Sequence, residues 1–216
     1  MIMIISILSQ KGGSGKTTLA LALAAAFART GKAVLLVDAD EQGSSLTWAD
    51  AREAEPLFTC VGMPKPTLHK ELPSLSKNYD LVLVDGAPRV SSVARSAIAA
   101  SDAVLVPVQP SPMDVWAANE IVELINDAKP LNEKMESAFV INRKITNTAI
   151  GNDVAKALAG YGDIPVLKTA IHQRVSFPEA AAQGLSIFEY EPKGKAASEI
   201  TKLQKEISKR WQKQLG

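Results

Sequence analysis

The residues best suited to chemistry lie in one glycine-rich stretch, residues 9–18, which reads SQKGGSGKTT. A glycine-rich turn between a strand and a helix directs backbone N–H groups and the positive helix end at an anion, so it can cradle phosphates. Lys16 has the P-loop spacing for contact with β- and γ-phosphates, and the Thr17 hydroxyl has the spacing for Mg²⁺. The expected phosphate contacts are Gly12, Gly13, Ser14, Gly15, Lys16, Thr17 and Thr18.

Two residues of this stretch depart from the usual P-loop pattern. Gln10 stands where the first glycine is expected, and a second lysine, Lys11, lies inside the loop. The string KGGSGKTT is a deviant Walker A motif and resembles the ParA/MinD family of ATPases. The resemblance implies that Lys11 crosses a dimer interface to the partner's nucleotide, which would couple ATP to dimerisation and assist catalysis. A solvated loop lysine is the alternative.

Carboxylates follow the second predicted strand, residues 32–37, in the string DADEQGS. The carboxyl end of such a strand lies beside the P-loop in an open α/β sheet. The string resembles the family's DxDxQGS segment, which implies that Asp40 orients the attacking water and that Asp38 supports the metal shell. Because acidic residues after a strand also cap helices, a capping role is the alternative for Asp40.

A further apolar strand, residues 80–85, ends in Asp85, as in a Walker B motif. Behind a P-loop, this aspartate is expected to hold Mg²⁺ through a water molecule, since Mg²⁺ keeps part of its hydration shell. The next residues, Gly86-Ala87-Pro88, resemble the family's switch segment, which senses the γ-phosphate.

Two later strand ends complete the expected nucleotide site. The string PVQPSPMD, residues 107–114, resembles a segment of the small partition ATPases typified by ParF, which implies that Pro110 lies near the nucleotide and the dimer region. After the strand at 137–141, the Asn142 amide can bond an adenine edge and Arg143 can stack on its face. The family resemblance supports Asn142 as the base reader.

The elements that position these residues alternate between strand and helix, which predicts an α/β fold with a doubly wound, mostly parallel sheet and helices on both faces, the P-loop NTPase fold. We expect one domain over residues 1–216. The predicted strands are residues 2–8, 33–37, 58–61, 81–84, 103–108 and 137–141. The predicted helices are residues 16–29, 44–52, 68–76, 91–100, 112–127, 149–159, 177–183 and 196–214.

The last predicted helix, about 196–214, is amphipathic and basic, although the net charge of the chain is only +1. Three arrangements are open: its apolar face docks on the domain, its basic face binds DNA phosphates, or it lies on a membrane surface as in MinD. The first two are compatible. Candidate DNA contacts are Lys144, Lys168, Arg174, Lys205, Lys209 and Arg210.

Several function classes are disfavoured by composition. With Cys60 as the one cysteine, no intrachain disulfide can form, and this residue is expected to be a small core residue. The first apolar run lacks the charged flank of a signal peptide, and no stretch approaches the ~20 apolar residues of a membrane span. We therefore expect a cytoplasmic protein, associated with the nucleoid when bound to ATP.

Together these features predict a ParA-type ATPase with ATP and Mg²⁺ as cofactors. The resemblance implies an ATP-dependent homodimer, DNA binding without sequence specificity, and slow hydrolysis stimulated by a centromere-binding or cargo-adaptor protein. The expected role is partition or positioning of a plasmid or another cargo. No N-terminal helix-turn-helix is expected. The alternatives are a membrane-cycling regulator like MinD, which we do not favour, and a P-loop ligase of the same fold.

Overall fold

The computed structural model describes residues 2–89, 91–146 and 150–211, apart from the side chains of residues 150–152. Its strands are β1 (Met3–Ile7), β2 (Val34–Asp38), β3 (Thr59–Gly62), β4 (Leu81–Asp85), β5 (Ala103–Val108) and β6 (Glu136–Ile141). They form one sheet in the order β3-β2-β4-β1-β5-β6, and every neighbouring pair is parallel. The predicted doubly wound sheet is confirmed.

The helices follow the strands as predicted, with differences at their ends. They are α1 (Lys16–Ala28), α2 (Ser44–Asp50), α3 (Leu68–Leu75), α4 (Ser92–Ala100), α5 (Pro112–Ala128), α6 (Ile150–Ala159), α7 (Ser176–Ala181), α8 (Ile187–Tyr190) and α9 (Lys195–Arg210). The short α8 was not predicted, because four residues are too few to show a helical period. Ala149 and residues 212–214, the predicted ends of two helices, lie outside the described residues.

Successive side chains along each strand point to opposite faces of the sheet, so the core is divided into two layers. Odd-numbered β1 residues such as Ile5 face the layer that holds α1, α8 and α9, together with Trp48 of α2. On β2, Leu35 and Val37 face the opposite layer, which holds α3, α4, α5 and α6. Both faces of the sheet are therefore covered, which explains why the sequences of its central strands are apolar without interruption.

Helix α1 is buried along almost its whole length. Ten of its residues are buried, from Lys16 to Phe27, and most of them are alanine or leucine. Alanine is the best helix former and its small side chain lets a helix approach a sheet closely. The amino end of α1, where the phosphate loop ends, is therefore fixed against the rigid centre of the fold.

Strand register brings the predicted site residues to one edge of the sheet. Strand β4 lies between β1 and β2, so Asp85 pairs in register with Ile7 on one side and with Asp38 on the other. The phosphate loop follows Ile7 after a few residues. This edge is the switch point at which the chain reverses direction across the sheet, where open α/β sheets bind ligands.

Helix α9 docks its apolar face on the domain, the first of the three expected arrangements. Ile200, Leu203 and Ile207 are completely buried in the layer that also holds α1. The lysines of α9 lie on the other side and are exposed. Among the described residues, no helix combines the length and the apolar character needed to cross a membrane.

Replacing Leu203 by alanine should lower the free energy of unfolding by about 2–5 kcal/mol, the usual cost of truncating a leucine in a packed core. The exposed neighbour Lys202 is the matched control, and Lys202→Ala should change that free energy by less than about 0.5 kcal/mol. Urea unfolding followed by circular dichroism measures both. Equal stability of the two variants would contradict the docking of α9.

Candidate functional site

The glycine-rich loop contains two residues in the left-handed region of backbone space. The φ angles of Gly13 and Gly15 are 77° and 86°, values that cost other residues energy. At Gly15 there is also no room, since a Cβ atom would lie 2.5 Å from Asn142 Nδ2. The loop conformation and its contact with Asn142 therefore both require glycine at position 15.

Lys16 is the buried cation of the site. The residue is 6% exposed, and its ammonium donates a long hydrogen bond of 3.4 Å to the carbonyl oxygen of Lys11. Burial lowers the pKa of Lys16, while the nearby charges of Asp85 and Asp40 raise it in part. A buried ammonium held by a weak bond is well suited to an anionic ligand, which would compensate its charge.

Asp85 is a completely buried carboxylate with an unused acceptor. Its Oδ2 accepts a hydrogen bond of 2.9 Å from Ser45 Oγ, while its Oδ1 has no hydrogen-bond partner among the described residues. Burial raises the pKa of Asp85 to about 6, against the lowering effect of hydrogen bonds from Thr17 and Ser45. An unsatisfied carboxylate oxygen beside a threonine hydroxyl fits the water shell of Mg²⁺. Thr17 and Asp85 would hold the ion.

Asp38 and Asp40 both organise the backbone of the following turn. Asp38 Oδ2 accepts hydrogen bonds from the backbone N–H groups of Ser45 (2.8 Å) and Leu46 (3.2 Å), in the first turn of α2. Asp38 Oδ1 accepts one from the N–H of Asp40 (3.1 Å). Asp40 in turn accepts from the N–H of Gln42, which precedes α2, so Asp40 orders the turn before the helix and does not cap it. The roles of Asp38 at the metal and of Asp40 at the water stay predictions.

Lys11 is paired within its own chain. Its Nζ lies 2.8 Å from Asp114 Oδ2, in the first turn of α5, and the Lys11 side chain is 47% exposed. An ion pair with one half-exposed partner contributes about 0–1 kcal/mol to stability, so Lys11 can leave Asp114 at little cost in free energy. Asp114 belongs to the PSPMD string, but its contact with Lys11 joins residues 103 positions apart and could not be read from the sequence.

Two amide side chains hold neighbouring carbonyl groups of the loop. Gln109 Nε2 donates to the carbonyl oxygen of Gly13, and Asn142 Nδ2 donates to that of Ser14, each at 2.8 Å. Asn142 was predicted as a base reader, a role that stays a prediction, and its amide nitrogen contacts the phosphate loop. Gln109 was not predicted as a site residue. Pro110, which was, follows it and is half-buried.

A cavity of about 660 Å³ opens beside the loop. Thr18 and the two predicted base contacts, Asn142 and Arg143, line one part of it, and the base contacts stay a prediction. The other part is formed by residues 171–175, of which the sequence singled out Arg174 as a candidate DNA contact. The volume is in the range of small-molecule sites, and its position next to the phosphate loop fits the base and sugar of a nucleotide.

Glu199 of α9 supports the wall of this cavity. Its carboxylate accepts hydrogen bonds from the backbone N–H of His172 (3.0 Å) and from His172 Nδ1 (3.0 Å), and it forms an ion pair with Arg174. Burial alone would raise the pKa of Glu199, but the hydrogen bonds and the charge of Arg174 hold it below its ordinary value. The sequence did not indicate these contacts, because the partners of Glu199 lie more than twenty residues away.

The six candidate DNA contacts fall into three groups. Arg174 is bound to Glu199, and Arg210 lies 3.5 Å from Glu136, so both arginines have partners within the domain. Lys144 is half-buried beside the cavity residue His172, with which it forms a β-bridge. The remaining candidates are exposed lysines: Lys168, Lys205 and Lys209.

Cys60 is half-buried on β3, and burial raises the pKa of its thiol to about 12. The thiol therefore stays protonated near neutral pH. A nucleophilic cysteine needs the thiolate, so this residue is inert, in keeping with its predicted place in the core.

Comparisons with known proteins agree with this geometry. A family model described as the CobQ/CobB/MinD/ParA nucleotide binding domain matches residues 5–187. The maintenance of carboxysome distribution protein A of Halothiobacillus neapolitanus is 30% identical over 94% of this chain and 95% of its own length. The chromosome-partitioning ATPase Soj of Thermus thermophilus is 29% identical, with 96% of each chain covered.

Among solved structures, the septum site-determining protein MinD of Pyrococcus horikoshii, complexed with Mg-ADP, superposes with a TM-score of 0.80. It is 20% identical, and the match covers 99% of each chain. This likeness confirms the P-loop NTPase fold. The predicted cofactors, ATP and Mg²⁺, agree with the nucleotide and the ion in that structure and with the word ATPase in the name of the Thermus relative.

Replacing Asp85 by asparagine should abolish most of the gain in ADP affinity that Mg²⁺ provides, because the carboxylate facing the ion is removed. It should also raise the thermal midpoint of the nucleotide-free protein at pH 7.5. The folded-state pKa of about 6 exceeds the ordinary value of 3.8, so ionising Asp85 removes stability as the pH rises between these values. Calorimetric titration with and without Mg²⁺, and thermal unfolding, measure the two effects.

Asp102→Asn is the matched control for this variant. Asp102 is partly buried, and burial raises its pKa as it does for Asp85, but the Asp102 carboxylate accepts from the backbone N–H of Ile4 (2.8 Å), at the amino end of β1. Its replacement should leave the effect of Mg²⁺ on ADP affinity unchanged. An equal loss in both variants would mean that Asp85 has no special relation to the ion.

Proposed function

Because this chain belongs to the CobQ/CobB/MinD/ParA family of nucleotide-binding domains, we propose that it is a ParA-type ATPase. In this proposal the protein binds ATP·Mg²⁺, dimerises, associates with DNA and positions an intracellular cargo through an adaptor protein. The cargo is a DNA molecule, such as a plasmid, or a large protein assembly. Relatives named for chromosome partitioning and for carboxysome distribution support this range.

The observation that carries the proposal is the position of Lys11. It lies in the phosphate loop, yet its ammonium points to Asp114 on α5 and is half exposed, while Lys16 takes the buried position. Close by on α5, Met113 and Trp116 are exposed to 62% and 67%. A half-exposed cation beside exposed apolar side chains is a surface that a second copy of the chain can cover.

The hydrolytic roles follow from charge and position. Bound Mg²⁺ would neutralise charge that develops on the phosphates during transfer. Lys16 neutralises the β- and γ-phosphates, and Asp40, near the ammonium of Lys16, orients the attacking water. In the dimer Lys11 would add a second cation from the partner. Hydrolysis would be slow until an adaptor stimulates it, and would then release the dimer.

DNA binding would use a stripe of lysines on the solvent side of α9. Lys195, Lys202, Lys205 and Lys209 are all exposed, and their spacing of three, four and seven residues aligns them along one face. Glu199 and Glu206 lie between these lysines on the helix, but their carboxylates turn toward the domain and accept backbone N–H groups there. Such a stripe suits phosphates of any sequence.

The same helix argues against a membrane-cycling role like that of MinD. A membrane-surface helix needs an apolar face free to enter the lipid. Ile200, Leu203 and Ile207 are completely buried in the domain, so the described part of α9 has no such face. We therefore propose phosphates of nucleic acid as the ligand of the basic stripe.

Replacing Lys11 by alanine should abolish dimerisation with ATP and Mg²⁺ and weaken ADP binding by less than about fivefold, since Lys16 and the loop N–H groups remain. Light scattering coupled to size-exclusion chromatography measures the mass. The parent protein should double its mass with ATP and stay monomeric with ADP. A Lys11→Ala protein that still doubles its mass would rule out the contact with the partner.

Asp114→Asn is the control for this experiment. It breaks the same pair within the chain but keeps the Lys11 ammonium, so it should dimerise like the parent protein. Failure of both variants would mean that the ion pair with Asp114 supports the dimer, and that Lys11 does not act across the interface.

Replacing Lys202, Lys205 and Lys209 together by glutamine should weaken DNA binding of the ATP-bound protein. It should also reduce the slope of log affinity against log salt by roughly 2–3, about 0.9 for each phosphate that a lysine no longer neutralises. The matched control replaces Lys65, Lys70 and Lys77, three exposed lysines near α3 on the other side of the sheet. It changes the net charge equally and should leave the slope unchanged. An equal change of the slope in both triple variants would mean that DNA binding depends on net charge and not on the lysines of α9.

A further inference from the structure

The carboxyl ends of β5 and β6 place two amide side chains side by side. Val108 and Ile141 are the last residues paired between these strands, and Gln109 and Asn142 follow them directly. The two amides donate to consecutive carbonyl groups of the phosphate loop, those of Gly13 and Ser14, each at 2.8 Å. The residues that follow two neighbouring strands therefore hold two neighbouring peptide groups of the loop.

Because of peptide geometry, these contacts with carbonyl groups also fix the direction of the N–H groups that face the ligand. In a planar trans peptide the C=O bond and the following N–H bond point in opposite directions. When Gln109 holds the Gly13 carbonyl outward, the N–H of Ser14 points into the loop. Asn142 does the same for the N–H of Gly15. Residues alternating with left-handed glycines form a concave nest of such N–H groups, which binds anions.

We propose that Gln109 is a positioning residue of the phosphate site, because it fixes the peptide between Gly13 and Ser14 with its N–H directed at bound phosphate. Gln109 does not touch the ligand and acts through the loop. Asn142 holds the next peptide in the same way. The proposal rests on the proposed function only in that the phosphate is taken to belong to a nucleotide.

The surroundings of Gln109 favour this role. Pro107 and Pro110 flank it, and proline rings restrict the backbone, so the side chain leaves the strand end in a defined direction. The residue is half-buried, and its side chain crosses to a loop 96 positions earlier in the chain. Without this donor, the Gly13 carbonyl is free to turn, and the loop loses its fixed orientation before the ligand arrives.

The test compares ADP·Mg²⁺ affinity, by calorimetric titration, in the parent protein, Gln109→Met and Gln109→Ala. Methionine keeps the length of the side chain but cannot donate a hydrogen bond, so it separates donation from packing. Both variants should bind ADP about five- to tenfold more weakly. Their nucleotide-free thermal midpoints should stay within about 2 °C of the parent value, since the contact orders the loop and not the core.

Gln183→Ala is the matched control, because the Gln183 amide also donates to a backbone carbonyl, that of Glu179, on the exposed surface near α7. It should leave both affinity and midpoint unchanged. Parent-like affinity in Gln109→Met would overturn the proposal. So would a fall of several degrees in the nucleotide-free midpoints of both Gln109 variants, which would indicate a role in folding alone.

The titration measures ADP binding, whereas the proposed ATPase activity is tested by a separate measurement of ATP hydrolysis. The two proposals can therefore fail independently. A parent protein that binds ADP but hydrolyses no ATP contradicts the proposed ATPase, while the affinities of the Gln109 variants still decide the role of the amide. If the parent protein hydrolyses ATP and the Gln109 variants bind ADP as tightly as the parent does, only the positioning role of Gln109 is overturned. A parent protein that binds no ADP overturns both.

Discussion

Charge compensation at the carboxyl edge of the sheet governs the rest of the structure. The ammonium of Lys16 and the carboxylates of Asp38 and Asp85 are all buried there, and a buried charge is costly unless it is paired or coordinated. Asp38 is satisfied by backbone N–H groups at the start of α2. Within the described part of the chain, however, one oxygen of Asp85 stays unused and Lys16 has a weak partner. A bound anion would pair with the Lys16 ammonium, and a divalent cation would use the free oxygen of Asp85.

The fold supplies the rigidity that this arrangement needs. Register between β1, β4 and β2 fixes the two aspartates beside the origin of the loop, and the buried α1 fixes its far end. Gln109 and Asn142 then restrain the loop from the other side. Since the groups that we propose to face phosphate are held by elements of the core, the site is preorganised and binding need not spend energy on ordering it.

The sequence predicted much of this because local patterns encode it. Continuous apolar runs marked the buried parallel strands, and loop glycines with Lys16 and Thr17 marked the phosphate site. Contacts between distant residues escaped prediction. Lys11 with Asp114 and Gln109 with Gly13 join segments about a hundred residues apart, and such pairs depend on how the strands are ordered in the sheet.

Helix α9 illustrates the same limit of local patterns. Its amphipathic pattern left docking, DNA binding and membrane binding open, and the three-dimensional packing of Leu203 against the core showed that its apolar face docks on the domain. The helical pattern also gave no sign that Glu199 accepts the N–H of His172 in the cavity wall, or that Glu206 accepts the N–H of Thr169. Periodicity identifies a face of a helix, whereas the partner of that face is decided by the tertiary structure.

The central claim is that this edge of the sheet binds nucleotide phosphate through the loop and Lys16. The most direct measurement is calorimetric titration of ATP·Mg²⁺ into the parent protein and into Lys16→Ala. We expect saturable binding of one nucleotide per chain in the parent, and at least about hundredfold weaker binding in a folded Lys16→Ala protein, since a buried cation on the phosphates is removed. Near-parent affinity in Lys16→Ala, or no binding by the parent, would contradict the account.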